Sequence, residues 1–200
     1  MNHELTLIVE TLESRQTLQA LMPKKAWDAA LDRRIADLPL ITSRAAGREQ
    51  TELVALMAGL HLLNESLDAS HSHAQEIEHD STGAYWHGIM HRMEGDFSNG
   101  NYWFHNAGAH PAMRKLQERA ADWIRNSTVL SDLPSGAVRD GIAAIAGQAR
   151  WNPNAFTSMV ALQESGKVSE ETRGALEYIQ HLELEALFAY TLEAARERLS

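Results

Sequence analysis

Residues Gly83–Pro111 read GAYWHGIMHRMEGDFSNGNYWFHNAGAHP, and this stretch decides how the rest of the chain is interpreted. It contains four His, two Trp and two Tyr, together with Arg92, Glu94 and Asp96, among small residues and glycines. A stretch that only filled a core would not need so many groups that can bond, titrate or coordinate a ligand. The sequence therefore predicts a functional site here, although no motif in it defines a reaction.

The composition limits the class of protein. The 200 residues have the length of one domain, and 44% of them are hydrophobic, which is enough for a core. The formal charge of −9 argues against a nucleic-acid partner, because no basic surface is available to replace the counterions of its backbone. No apolar run approaches the ~20 residues that span a bilayer, and the first residues lack a signal-peptide pattern. With no cysteine, neither disulfides nor thiolate ligands are expected, and the expected location is the cytoplasm.

Helical periodicity dominates the chain, so the expected fold class is all-α, a single-domain multi-helix bundle around one core. The clearest amphipathic pattern covers residues 51–67, where leucines and a methionine recur on one face. The predicted helices are 24–38, 51–67, 82–94, 111–126, 138–149, 153–164 and 169–199.

The remaining segments carry weaker signals. Leu5–Val9 is ambiguous between strand and helix, and the polar, His-rich residues 68–81 indicate a loop or a short helix. We expect one domain over the whole chain, with residues 1–46 as an N-terminal helical extension. Residues 51–197 then form the core that carries the candidate site.

A row of metal-binding side chains lies on the predicted helix 82–94. His87, His91 and Glu94 are spaced i, i+4, i+7, which places them within a sector of about 60° on a helix. Eight of the ten histidines lie between residues 61 and 110, and His73 is a candidate third imidazole. Two imidazoles and a carboxylate suit a divalent transition metal or an acid–base pair. The same spacing is also common on solvated helix faces and in structural hydrogen-bond networks.

A second signal comes from the last predicted helix, where Glu183 interrupts an apolar stripe formed by Leu176, Ile179, Leu187 and Tyr190. A buried carboxylate is costly unless it is paired, hydrogen-bonded or bound to a cation. Two interpretations are open. Glu183 either points toward the histidines as a ligand or base, or it forms a structural ion pair with an arginine such as Arg92 or Arg114.

These signals give a provisional site. Glu94 and Glu183 are the candidate catalytic carboxylates, and His87, His91, His73 and Glu183 are the candidate ligands of a divalent transition metal such as Zn, Ni, Mn or Fe. The candidate residues for binding a small polar substrate are Tyr85, Trp86, Arg92, Asn99, Trp103 and Gln180. The alternatives are a non-catalytic module that binds a small metabolite and a purely structural network of His and aromatic side chains.

Three segments, Tyr85–Pro111, Trp151–Phe156 and Ile179–Leu192, resemble an uncharacterised family of bacterial and fungal proteins. Its pattern is near YWHxIMHRxEGDFxNxxYWFRRVGxHP, followed downstream by W-[DN]-P-x-x-F and IQxxEwexLF. The resemblance covers roughly residues 52–192 and implies an architecture and a candidate site, but no activity. The matching positions are Tyr85, Trp86, His87, His91, Arg92, Glu94, Asp96, Asn99, Tyr102, Trp103, His110, Gln180 and Glu183.

The chain departs from the family pattern at His105 and Asn106, where the pattern has two arginines. If those arginines hold an anionic ligand in the family, the resemblance implies a changed or lost specificity here.

Overall fold

The structure is a computed structural model that describes residues 3–41, 47–196 and 198–199. These residues form eleven α-helices and one 3₁₀ turn, and none of them lies in a β-strand. The all-α class is therefore confirmed. The helices are α1 (His3–Glu13), α2 (Ala29–Ala36), α3 (Arg48–Leu63), α4 (Leu67–Glu76), α5 (Ser81–Glu94), α6 (Phe97–Ala107), α7 (Ala112–Asn126), α8 (Val129–Asp132), α9 (Ala137–Ile145), α10 (Pro153–Glu164) and, after the 3₁₀ turn Glu170–Thr172, α11 (Arg173–Arg196).

The long helix α11 packs against α3 and α7 and also contacts α5 and α10. Helix α5 packs against α3, α4 and α6, and α10 contacts α6 and α9. The helices predicted at 51–67, 82–94, 111–126 and 169–199 all place apolar side chains in one buried cluster, which confirms the expected common core. No helix in the described part of the chain is both long enough and apolar enough to cross a membrane.

The N-terminal segment packs into the same core as the rest of the chain. Leu5 and Ile8 of α1 and Ile35 of α2 are fully buried in the common cluster. The ambiguous segment Leu5–Val9 is helical and belongs to α1. Residues 42–46, which also fall in the predicted N-terminal extension, lie outside the described residues, as does Glu197 near the end of the last predicted helix.

Helix α2 is shorter than the predicted 24–38 because tertiary hydrogen bonds hold the residues before it in a non-helical conformation. The carbonyl of Asn64, at the end of α3, accepts from the backbone N–H of Trp27 (2.8 Å), and the Asn64 amide donates to the Asp28 carbonyl (2.9 Å). The Asp28 carboxylate then accepts from two N–H groups of the first turn of α2, at 2.7 and 3.0 Å. Trp27, which lies within the predicted helix 24–38 but before the start of α2, is 37% exposed.

The predicted helix 51–67 is divided into parts of α3 and α4 in the structure. Glu65 has a φ of +60°, a conformation that cannot continue a right-handed helix, so α3 ends before it. The Glu65 carboxylate forms an ion pair with Arg15 (3.2 Å) and accepts from the Ala20 N–H (2.7 Å). The polar residues after it form helix α4, so most of the segment predicted as a loop or short helix is helical.

Helix α5 is defined at both ends by local chemistry. The Asp80 carboxylate accepts from the backbone N–H of Thr82 (2.8 Å) and caps the first turn. Gly95, with a φ of +95°, ends the helix in the left-handed conformation. Every residue from Gly83 to Met93 is buried, because other helices surround α5. Between Gly83 and Met93 the helix therefore has no solvent side, and its polar residues there face neighbouring helices.

Gly83 allows α5 to start directly against the end of α4. A Cβ atom at this position would lie 2.2 Å from the carbonyl oxygen of Ile77 and 2.7 Å from its Cγ1. Because the nearest atom belongs to the backbone, a side-chain rotation cannot relieve the overlap. By contrast, a Cβ atom at Gly174, in the first turn of α11, would meet nothing within 4 Å.

We expect Gly83→Ala to destabilise the protein by about 1–3 kcal/mol or more, because the α4–α5 junction must shift to accept the methyl group. The control Gly174→Ala should stabilise the protein by up to about 1 kcal/mol, since alanine favours an open helical position. Urea denaturation followed by circular dichroism measures both free energies of unfolding. Equal effects of the two substitutions would contradict the close packing at Gly83.

Candidate functional site

The carboxylate of Glu183 lies in the interior and accepts hydrogen bonds from three side chains. Its Oε1 accepts from the Tyr85 hydroxyl and from the Trp151 indole N–H, both at 2.9 Å. Its Oε2 accepts from the Arg92 guanidinium at 2.5 Å. Glu183 and Arg92 are both fully buried. The burial that the apolar stripe indicates for Glu183 is therefore confirmed, and its carboxylate faces α5, the helix that bears His87.

These contacts place Glu183 away from the histidines of α5. On that helix, Tyr85 and Arg92 project about 130° from His87 and His91. The Glu183 carboxylate belongs to none of the groups of three or more potential metal ligands found among the described residues. The structure therefore does not bring Glu183 to the imidazoles as a ligand or base, and its ion pair with Arg92 corresponds to the structural alternative. Tyr85 and Arg92, predicted to contact substrate, instead form buried hydrogen bonds with Glu183.

Aromatic rings surround the buried ion pair. The Arg92 guanidinium lies 5.5 Å from the ring centroid of Phe104 and 4.8 Å from that of Phe156. Burial, followed by the charge of Glu183, raises the pKa of Tyr85 well above its ordinary value, so the phenol stays protonated and donates. Removing either charge of the pair would leave the other buried and uncompensated.

Three imidazoles converge on the opposite side of α5. His87 and His91 of α5 and His71 of α4 each present a ring nitrogen, and these atoms lie within 4.8 Å of one another. The ring centroids are 4.6 Å apart for His87 and His91, 4.9 Å for His71 and His87, and 5.1 Å for His71 and His91. The group could hold a metal ion. His71 was not singled out from the sequence, although it belongs to the same concentration of histidines.

His87 has fewer hydrogen-bond partners than His91, the other buried histidine of this group. It is 2% exposed, and neither of its ring nitrogens has a hydrogen-bond partner among the described residues. The indole ring of Trp103 stacks on it, with centroids 4.2 Å apart and planes inclined by 17°. Burial, followed by the charges of His91 and His71, lowers the pKa of His87 to about 3. The ring is therefore neutral and keeps a free lone pair, the form that binds metal.

His91 has partners that fix its orientation. Its Nδ1 lies 2.6 Å from a carboxylate oxygen of Glu94, and its Nε2 lies 3.0 Å from the amide nitrogen of Asn99. If Nδ1 donates to Glu94, the lone pair of His91 is on Nε2, where it accepts from Asn99. Glu94 is exposed and acts here as the carboxylate partner of an imidazole. Asn99, predicted to bind substrate, thus lies beside the cluster formed by His71, His87 and His91.

His73, the predicted third imidazole, faces the other side of α4. Its ring stacks on His61 of α3, with centroids 5.6 Å apart, and His61 Nδ1 lies 2.8 Å from a carboxylate oxygen of Asp32. A step of two residues rotates by about 200° around a helix, so His71 and His73 point about 160° apart and cannot face the same neighbour. The structure brings His71, rather than His73, to His87 and His91.

The other predicted substrate residues are distributed over the core. Trp86 is fully buried and its indole N–H donates to the Thr191 hydroxyl (3.1 Å). Gln180 is fully buried and its amide donates to the Ala20 carbonyl (3.0 Å). These contacts do not place either residue beside the imidazoles. Trp103 does lie beside them, because its ring stacks on His87.

A second group of potential ligands, His91, Glu94 and Asp96, has atoms within 4.8 Å of one another. Both carboxylates are exposed, and each has a local structural role. Asp96 accepts from the backbone N–H of Asn99 (3.1 Å) at the start of α6, and this hydrogen bond is the largest cause of its lowered pKa. Because helix capping explains Asp96, the cluster of His71, His87 and His91, in which His71 is half-buried and the other two are buried, is the stronger metal candidate.

Comparisons with protein-family models, with curated proteins and with solved structures give no match to this chain.

We expect Glu183→Gln to lower the free energy of unfolding by about 3–5 kcal/mol, because it leaves the buried Arg92 charge without its counterion. The matched control is Glu185→Gln on the same helix, which breaks a partly exposed ion pair with Arg119 and alters a 3.3 Å contact with His181, and which should cost about 1 kcal/mol or less. Urea denaturation monitored by tryptophan fluorescence compares the two variants.

The double variant Arg92→Met/Glu183→Gln removes both charges, and its amide oxygen can still accept from Tyr85 and Trp151. It should lose less stability than Glu183→Gln alone, since no uncompensated charge remains in the interior. If Glu183→Gln were no more destabilising than Glu185→Gln, the buried ion pair would not hold these helices together.

Proposed function

We propose that this protein binds one divalent transition metal ion through His71, His87 and His91. Supporting this are the three ring nitrogens within 4.8 Å of one another, supplied by two packed helices. A tetrahedral ion with bonds of about 2.0–2.1 Å needs nitrogens ~3.3 Å apart, so metal binding requires the three rings to move closer together than they are in this structure. The proposal keeps two predicted ligands, His87 and His91, and replaces His73 and Glu183 with His71.

The single observation that carries the proposal is the state of His87. Leaving a buried polar group without a partner costs about 1–3 kcal/mol, so a residue kept only for packing would be better replaced by an apolar one. A metal ion supplies a partner for one ring nitrogen of His87. A purely structural network, the alternative open from the sequence, leaves both nitrogens of His87 unexplained.

The ligand set favours particular ions and a particular chemistry. Imidazole nitrogens suit Zn²⁺, Ni²⁺ and Fe²⁺, whereas Mn²⁺ prefers oxygen ligands, so we place manganese last among the expected metals. Three protein ligands leave a coordination position for water or substrate, as in catalytic rather than structural zinc centres. We therefore propose a metal-dependent enzyme of the cytoplasm that acts on a small polar substrate. The metal would activate a bound water molecule or polarise a carbonyl of the substrate.

Glu94 has a supporting role in this proposal rather than the catalytic one predicted from the sequence. Its carboxylate is 2.6 Å from His91 Nδ1, which orients the ring and increases the basicity of Nε2. The amide nitrogen of Asn99 lies 3.0 Å from Nε2 of His91, so an ion bound at this nitrogen would displace the amide.

We expect protein purified without a histidine tag, and stripped with a chelator, to bind one equivalent of Zn²⁺ or Ni²⁺ in isothermal titration calorimetry. Free metal at about 100 times Kd should stabilise the fold by about 2.7 kcal/mol, seen as a raised Tm. His71→Gln and His87→Gln should lose both effects. The control His105→Gln, at an exposed position of α6, should keep them.

His87→Leu separates metal binding from packing. Without metal this variant should be as stable as the unaltered protein or more stable, because it removes two unpartnered nitrogens from the interior. It should also show no metal-dependent rise in Tm. The proposal is wrong if the unaltered protein gives no response to Zn²⁺, Ni²⁺ or Fe²⁺, or if the response survives His87→Leu.

A further inference from the structure

A groove opens between the α6–α7 turn and the loop before α10. Its volume is about 800 Å³, within the range of sites for small organic ligands. None of His71, His87 and His91 lines it. The lining residues are Phe104, His105, Gly108, Ala109, His110, Pro111, Met113, Arg114, Ala149, Arg150, Trp151, Asn152, Pro153 and Asn154.

The charge of the groove is opposite to that of the whole protein. The formal charge of the chain is −9, yet the described residues that line the groove include two arginines and neither Asp nor Glu. Arg114 and Arg150 form no ion pair with any residue in the described ranges, whereas most other arginines there are paired with carboxylates. Two exposed guanidinium groups are thus available to an anion from solution.

Two helices begin at this groove and add to its positive potential. Helix α7 starts after Pro111 and α10 starts after Asn152, and both residues line the groove. The N-terminal end of each helix carries a partial positive charge that favours anions nearby. This contribution supplements the arginines and would not define a site by itself.

The inner wall is apolar and held in place by buried contacts. Phe104 and Trp151 are almost fully buried, and the Trp151 indole N–H donates to Glu183 (2.9 Å). His110 is also buried, and its Nδ1 accepts from the Ala112 N–H (3.2 Å). Burial lowers the pKa of His110 to about 4, so the ring is neutral at pH 7 and contributes no charge. The wall is therefore preformed, and the charge of the site comes from the arginines.

We propose that this groove is a second site, distinct from the metal centre, which binds a small organic anion with an apolar body. The head group is a carboxylate or a phosphate monoester, both of which match the planar donors of arginine. The apolar body packs on Phe104 and Trp151, which form the inner wall. This assignment goes beyond the proposed metal-dependent activity and does not depend on it.

The test uses the full chain stripped of metal with a chelator, so that a failure of the metal proposal does not affect it. The test ligands are phenyl phosphate, phenylacetate and neutral phenylacetamide, measured by isothermal titration calorimetry at low and high salt. At least one anion should bind about tenfold or more tightly than phenylacetamide, and its affinity should fall with salt. The tighter of the two anions identifies the head group.

Arg114→Gln and Arg150→Gln should each weaken binding of that anion by about tenfold, the loss expected for a charge-assisted hydrogen bond. The control Arg33→Gln removes the same charge from an exposed arginine of α2 and should leave the affinity unchanged. The proposal is overturned if neither anion binds at millimolar concentration, if phenylacetamide binds equally well, or if Arg33→Gln has the same effect as the two groove variants.

Discussion

The buried ion pair between Arg92 and Glu183 is the interaction on which the positions of the other functional groups depend. Both side chains are fully excluded from solvent, and Tyr85 and Trp151 donate to the same carboxylate. These bonds join α5, α11 and the loop before α10 at one point. A buried charge tolerates little displacement, because each lost contact leaves it less compensated. The rotation of α5 about its axis is thereby fixed.

The rotation of α5 about its axis determines which neighbouring helices the histidines on its other side face. His87 and His91 project about 130° away from Tyr85 and Arg92, so they face α4 and α6. One side of the helix thus holds the fold together, while the other side carries an imidazole whose nitrogens have no partner. The stabilising side also has unpartnered atoms, Nε and Nη1 of Arg92, but the rings of Phe104 and Phe156 face that guanidinium, whereas His87 lies beside two further imidazoles.

Helix α6 connects the two proposed sites. Trp103 stacks on His87, and the next residue, Phe104, forms the inner wall of the anion groove. The helix can lie this close to α5 because glycines meet at the contact: a Cβ atom at Gly88 would lie 2.6 Å from the Phe104 ring, and one at Gly100 would lie 3.1 Å from the Gly88 carbonyl oxygen. Small residues at this crossing therefore set the positions of both aromatic rings.

The sequence by itself determined the all-α class, the row of His87 and His91 on one helix, and the burial of Glu183, since helical periodicity reports which residues share a face. It could not determine which neighbour each face meets. His71 and His73 looked equivalent in a polar stretch without apolar periodicity, and only the packing of α4 between α3 and α5 separated them. The partner of Glu183 was likewise decided by the rotation of α5 against α11. Helical periodicity determines which residues share one face of a helix. Which neighbouring helix that face contacts is determined only by the packing of the whole core.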